Sequence, residues 1–174
     1  MAKKGLLIVY TGNGKGKTTA ALGLAYRMLG HKKRVSMIQF IKGSWKYGEM
    51  ESVKRYADLL DFHVMGKGFI FKSEDQEADV KAAREAWELA EQTIAANRHQ
   101  LVILDELTYL IKFKMVPEDR IIKALTEKPE MMHVVVTGRD ASERLIELAD
   151  LVTEMREIKH PFHSGIKAQK GIEF

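Results

Sequence analysis

Between an apolar run, Leu6–Tyr10, and the small, helix-compatible Ala20-Ala21-Leu22-Gly23 stands Thr11-Gly12-Asn13-Gly14-Lys15-Gly16-Lys17-Thr18-Thr19. Glycines at this density let the backbone curl until successive N–H groups face one anion-sized hollow, and a helix starting behind them adds its positive end. This is a Walker A loop, in which Lys17 meets phosphate oxygens and the Thr18 hydroxyl coordinates Mg²⁺. Gly12, Asn13, Gly14, Lys15, Gly16 and Thr19 complete the candidate nucleotide cradle, with Lys15 either on phosphate or an ordinary exposed loop lysine. The usual pattern opens with Gly five residues before the Gly-Lys pair. Here Thr11 holds that position with Gly12 beside it, so the loop is a variant.

A second constellation is Leu101-Val102-Ile103-Leu104-Asp105-Glu106, a hydrophobic strand that delivers two carboxylates at its C-terminal end. Open α/β sheets bind ligands at that end, and hard carboxylate oxygens suit Mg²⁺ held directly or through water. Neighbouring strand residues point oppositely, so Asp105 and Glu106 are alternative metal ligands, and either alone could instead cap the next helix. His133-Val134-Val135-Val136-Thr137-Gly138-Arg139 brings Arg139 to the same edge. It is a candidate for nucleotide, phosphate or partner contact, with an ion pair to Asp140 or Glu143 as the alternative. His160 and His163 are spaced three apart in a Pro-containing segment, which favours a surface loop over a metal pair.

These groups need a scaffold. Leu6–Tyr10, Val35–Phe40, Leu59–Met65, Leu101–Leu104, His133–Thr137 and Leu151–Met155 are short apolar runs, several too continuous for half-exposed strands. They predict parallel strands covered on both faces. Helical patterns alternate with them: Lys17–Leu29, Val80–Asn97 with its stripe of Val80, Ala83, Trp87, Ala90 and Ile94, Glu118–Thr126 behind Pro117, and Ser142–Ala149. The expected architecture is α/β: an open, mainly parallel sheet of about six strands with helices on both faces, in a P-loop (RecA-like) NTPase fold. Lys42–Glu51 and Gly66–Asp79 lack periodicity, and long irregular loops in compact domains are commonly functional.

At 174 residues, 45% of them hydrophobic, the chain has room for one domain with its own core, spanning 1–174. The absence of cysteine excludes disulfides, thiol catalysis and Cys-based metal sites, and makes the cytoplasm the expected compartment. No run is long enough to span a bilayer, so no membrane partner is expected. The net charge of +4 suits a polyanionic ligand such as a nucleotide but is modest for a nucleic-acid binder.

A phosphate loop specifies nucleotide and leaves the reaction open. The blocks GNGKGKTTAALG (12–23), FIKGSWKYGE (40–49), GKGFIF (66–71), LVILDELTY (101–109), VVVTGRDA (134–141), ADLVTEM (149–155) and KHPFHSGIKAQKGIEF (159–174) narrow it. Together they resemble the phosphate-loop type of ATP:corrinoid adenosyltransferase, almost end to end. The resemblance implies transfer of the 5′-deoxyadenosyl group of ATP to the Co(I) of a corrinoid such as cob(I)alamin, with release of tripolyphosphate. It further implies Mg²⁺, a flavoprotein-type reductant for Co(II), a homodimer and no nucleic-acid partner. Lys17, Thr18 and Glu106 would then be catalytic at the departing phosphate. The family's two aromatics beneath the corrin match Phe69 and Phe71, the latter standing where Trp is common, and the loop carrying Trp45, Tyr47 and Glu49 lies near the active site.

Such a reaction needs no general base, because Co(I) carries its own nucleophilic electron pair, and no catalytic Ser or Cys is signalled. Two other readings use the same loop. A small-molecule kinase or NTPase would place an arginine at the γ-phosphate, a role open to Arg139. A nucleic-acid module would use the basic run His31-Lys32-Lys33-Arg34, a poor surface for tracking a backbone.

Overall fold

A computed structural model describes residues 4–41, 47–65 and 76–173. The six apolar runs are strands of one sheet: β1 (Leu7–Thr11), β2 (Val35–Gln39), β3 (Leu60–Val64), β4 (Leu101–Asp105), β5 (His133–Thr137) and β6 (Leu151–Glu154). Their order is β3-β2-β4-β5-β1-β6, and every pairing is parallel. Parallel neighbours require crossovers, which the helices supply: α1 (Lys17–Gly30), α2 (Gly48–Ser52), α3 (Gln76–Ala95), α4 (Thr108–Lys112), α5 (Glu118–Thr126) and α6 (Glu143–Leu148).

Period-2 alternation sorts the strand residues between two cores. Ile8, Met37, Ile103 and Val135 face Ala21, Ala25 and Leu29 of α1. Val9, Ile38, Val102, Leu104 and Val136 face the opposite way, onto Ala83, Trp87 and Ala90 of α3, Ile121 and Leu125 of α5 and Leu145 of α6. Among the described residues Trp87, at 0% exposure, is the largest fully buried side chain, as the predicted stripe requires.

The helix predicted over 80–97 is Gln76–Ala95, beginning four residues before its apolar stripe and ending two residues short of the predicted end. Its first turn carries Glu77 and Asp79, whose charges suit the positive end of a helix but add nothing to an apolar pattern. Asn97 stops it by taking φ 49°, a left-handed conformation that asparagine tolerates. Both α2 and α4 fall where no helix was expected. They have five residues each, too short for a 3.6-residue period to show.

Because every strand runs the same way, the loops after β1, β4 and β5 share one edge of the sheet. The turn carrying His31 to Arg34 precedes β2 and so lies at the opposite edge. Among the described residues no helix is long and apolar enough to cross a membrane.

The edge away from the loop holds a pH-sensitive contact. His133 Nδ1 accepts a hydrogen bond from Leu6 N–H at 3.1 Å, so it is the unprotonated ring nitrogen. Burial, reinforced by the Lys128 ammonium, pushes the imidazole below its ordinary value of 6.5. Between the folded and unfolded values the unfolded chain binds the extra proton. The contribution is therefore intact above the unfolded value and is lost as pH falls through the folded one. We expect the wild type to lose more stability from about pH 7.5 to about pH 5.5 than His133→Asn, whose amide oxygen accepts without titrating. Urea midpoints at the two pH values measure this; an equal loss in both proteins rejects it.

Candidate functional site

The phosphate loop leaves β1 and enters α1 through Gly16, whose φ of 117° only glycine adopts without strain. The cap residue, Gly16, has no side chain to close the start of this helix. Lys17 is 8% exposed, and its Nζ donates to the carbonyl oxygens of Gly12 at 2.7 Å and Gly14 at 2.8 Å. Its pKa is pushed down by burial and by the Arg139 charge, against the pull of Glu106 and Asp105. The loop also leans on the chain after β6, where Gly14 N–H donates to Met155 O at 2.6 Å. A Cβ on Gly14 would stand 2.6 Å from that same oxygen, so the close approach requires glycine here.

Behind Lys17 lies a buried polar knot. Asp105, at 0% exposure, accepts from Thr18 Oγ1 (2.9 Å) and Thr137 Oγ1 (2.7 Å) on Oδ1, and from Gln39 Nε2 (3.0 Å) on Oδ2. Gln39, Asp105 and Thr137 end three adjacent strands on the α1 face, with Gln39 and Asp105 directly paired in register. Glu106 follows with φ 65°, and its N–H donates to Thr137 Oγ1 at 2.9 Å. The turn carries the Glu106 side chain to the cleft while Asp105 stays beneath the loop.

That cleft has a volume of about 1030 Å³. One wall is the loop from Asn13 to Thr19; another carries Glu106, Tyr109, Lys112 and Arg139; a third is the C-terminal Gly171-Ile172-Glu173. Beyond the loop it continues over Leu22, Tyr26, Val53 and Tyr56, a more apolar stretch. The Tyr109 phenol is pushed above its ordinary value by burial and by the Glu106 charge, and so keeps its proton. Thr18 and Glu106 both line this cleft and carry hard oxygen donors. Among the described residues no three His, Cys, Asp or Glu side chains converge as a metal cage, and Mg²⁺ commonly takes one or two protein ligands plus phosphate oxygens.

The structure thus brings Gly12 through Thr19, Asp105, Glu106 and Arg139 to one edge. Arg139 lines the cleft and forms no ion pair among the described residues; Asp140, its predicted alternative partner, binds Lys112 at 2.6 Å instead. Lys15 Nζ pairs with Glu173 at 2.5 Å. His163 bonds Glu157 at 2.8 Å, and His160 Nδ1 accepts from Phe162 N–H in a 3₁₀ turn. Glu49 lines the cleft from α2, while Trp45, Phe69 and Phe71 lie outside the described residues.

Gln39, Thr137, Tyr109 and Glu173 are additions that the sequence reading missed. For Gln39 and Thr137 a signal existed: each is a polar residue closing a mostly apolar strand, where a buried side chain must find a partner.

Comparison with known proteins places this geometry. The family model for ATP:corrinoid adenosyltransferase BtuR/CobO/CobP matches residues 3–174. A corrinoid adenosyltransferase of Sinorhizobium sp is 47% identical over 174 residues, covering 99% of this chain and 81% of that protein. One from Escherichia coli strain K12 is 43% identical over 172 residues, covering 99% and 87%. The flagellar accessory protein FlaH of Methanocaldococcus jannaschii superposes with a TM-score of 0.59 at 15% identity, over 87% of this chain and 71% of that one, a likeness of fold alone. With the loop, the strand-end acids and the C-terminal block all inside the matched region, the chain belongs to the ATP:corrinoid adenosyltransferase family.

Proposed function

We propose that ATP lies in the cleft with its triphosphate on residues 12–19, and that its 5′-deoxyadenosyl group passes to the Co(I) of a corrinoid, cobalamin or a precursor. The observation that carries this reading is the Walker loop joined to the strand-end acids by the Thr18–Asp105 hydrogen bond, inside a cleft of nucleotide size. The substrate Co(I) donates its electron pair to C5′. A Co–C bond forms, the C5′–O bond breaks, and its electrons leave on the triphosphate as tripolyphosphate. The protein's work is to align the two substrates and to stabilise the departing charge.

Lys17 and the loop amides take that second role, with Arg139 facing the same phosphates. Thr18 and Glu106 would hold Mg²⁺, and Asp105 fixes the Thr18 hydroxyl from beneath. When bound, the ion would neutralise charge on phosphate oxygens. Phe69 and Phe71 are assigned to the lower corrin face and Trp45 to the same substrate. A homodimer, a flavoprotein-type reductant and a cytoplasmic setting complete the proposal.

The deciding experiment is an anaerobic reaction of protein, Mg·ATP and Co(I) corrinoid, followed by product analysis. Intact tripolyphosphate and a light-sensitive adenosylated corrinoid in equal amounts are expected. ADP and a phosphorylated acceptor, with no corrinoid product, would overturn the function and leave the fold untouched.

A second measurement addresses the aromatics. If their apolar rings exclude a water ligand from cobalt, reduction of Co(II) becomes easier. Phe69→Ala or Phe71→Ala should then cripple turnover of Co(II) substrate with a weak reductant, spare more of the turnover of pre-formed Co(I), and leave ATP affinity nearly unchanged. Loss of ATP binding in proportion to turnover would instead mark these rings as packing residues.

A further inference from the structure

We propose that Thr137 is a positioning residue of the metal–nucleotide site, whose one hydroxyl fixes both acids at the end of β4. The claim rests on the assignment of Thr18 and Glu106 to Mg²⁺ made above. The Thr137 hydroxyl donates to Asp105 Oδ1 at 2.7 Å and accepts from Glu106 N–H at 2.9 Å. Asp105 Oδ1 in turn accepts from Thr18 at 2.9 Å. A continuous path therefore joins Thr18 through Asp105 and Thr137 to the backbone of Glu106, and Thr137 is the link between the two acids.

Its place follows from the sheet order. β5 lies between β1, which launches the phosphate loop, and β4, which ends in the acids. The last residue of β5 on the α1 face is the one that can reach both. Thr137 is fully buried, so water cannot substitute for its hydroxyl. The hydroxyl also meets a specific need, because Glu106 sits at φ 65°, a conformation costly for a residue with a long side chain. The bond to its N–H holds that turn, and the turn aims the Glu106 carboxylate at the cleft while Asp105 stays under the loop. Thr137 touches neither substrate; it acts through the two acids.

The test is Thr137→Val, nearly isosteric but without a hydroxyl, compared with Thr137→Ser, which keeps one. Binding of ATP is followed calorimetrically as Mg²⁺ is titrated, and again in EDTA without the ion. Thr137→Val should raise the Mg²⁺ concentration for half-maximal effect about tenfold. ATP affinity in EDTA and KM for the corrinoid should stay within about twofold, and kcat with pre-formed Co(I) should fall at least tenfold. Thr137→Ser should restore all of these to near wild-type values. If the Val variant does not fold, Thr137→Ala reads the same quantities without a methyl pressed against the Glu106 amide.

An unchanged Mg²⁺ requirement in the hydroxyl-free variant overturns the proposal, as does a Ser variant as impaired as the Val one. Wild-type ATP binding that ignores Mg²⁺ overturns the metal assignment itself and the proposal with it. That outcome is visible before any variant is made.

Discussion

Lys17→Ala is expected to lower kcat/KM for ATP between about 30-fold and about 900-fold, which corresponds to roughly 2–4 kcal/mol of lost transition-state stabilisation. Among the described residues the ammonium is the one side-chain cation held within the loop itself, anchored by the Gly12 and Gly14 carbonyls at 2.7 and 2.8 Å. Such anchoring sets the charge in place before phosphate arrives, so little reorganisation opposes its use. Burial is the largest cause lowering its pKa, because the surroundings solvate the charge less well than water does. Neighbouring Lys15 is exposed and already paired with Glu173 at the C-terminal wall of the cleft, so it is a poor replacement. Steady-state kinetics on the variant check the expectation, and near-normal values would remove Lys17 from the phosphate site.

Asp105→Asn and Glu106→Gln should part company in both stability and metal dependence. Asp105 is buried and accepts from Thr18, Thr137 and Gln39. An asparagine offers one oxygen and one NH₂ group, so either the Gln39 amide must turn its oxygen to that NH₂ or a donor is left facing a donor. A buried donor left unsatisfied costs about 1–3 kcal/mol, and for a chain of this size each kcal/mol is worth about 2–4 °C in Tm. Asp105→Asn should therefore melt several degrees lower and lose activity partly through a displaced Thr18.

Glu106 lines the cleft, and glutamine matches it in size and shape. Glu106→Gln should keep its melting temperature and lose Mg²⁺-dependent turnover. Thermal melts and Mg²⁺ titrations of both variants separate the cases. Equal behaviour in both measurements would show that the two acids do one job.

The residues that carry local chemistry were legible in the chain. The loop from Gly12 to Thr19 announces itself because phosphate binding is built from consecutive residues, with glycine backbone, lysine and threonine inside one turn. The central strands β1, β2, β4 and β5 were readable because burial on both faces demands runs of branched apolar residues, a demand that acts over five residues at a time. Of the edge strands, β3 is part-buried and β6 exposed. Trp87 was placed in the core by the spacing of its own helix. The full-length resemblance supplied the reaction, which neither loop nor strands could name.

What tertiary structure alone decided is the division of labour between neighbours. Asp105 and Glu106 are adjacent and chemically alike, so no local pattern can say that one is buried under the loop and the other faces the cleft. That follows from the left-handed turn at Glu106 and from the insertion of β5 between β1 and β4. Thr137 and Gln39 reach Asp105 across strands separated in sequence by 32 and 66 positions, and Glu173 reaches Lys15 across 158. Hydrophobic periodicity fixes which face a strand buries, whereas the side-by-side order of strands, which sets those meetings, is a property of the assembled sheet.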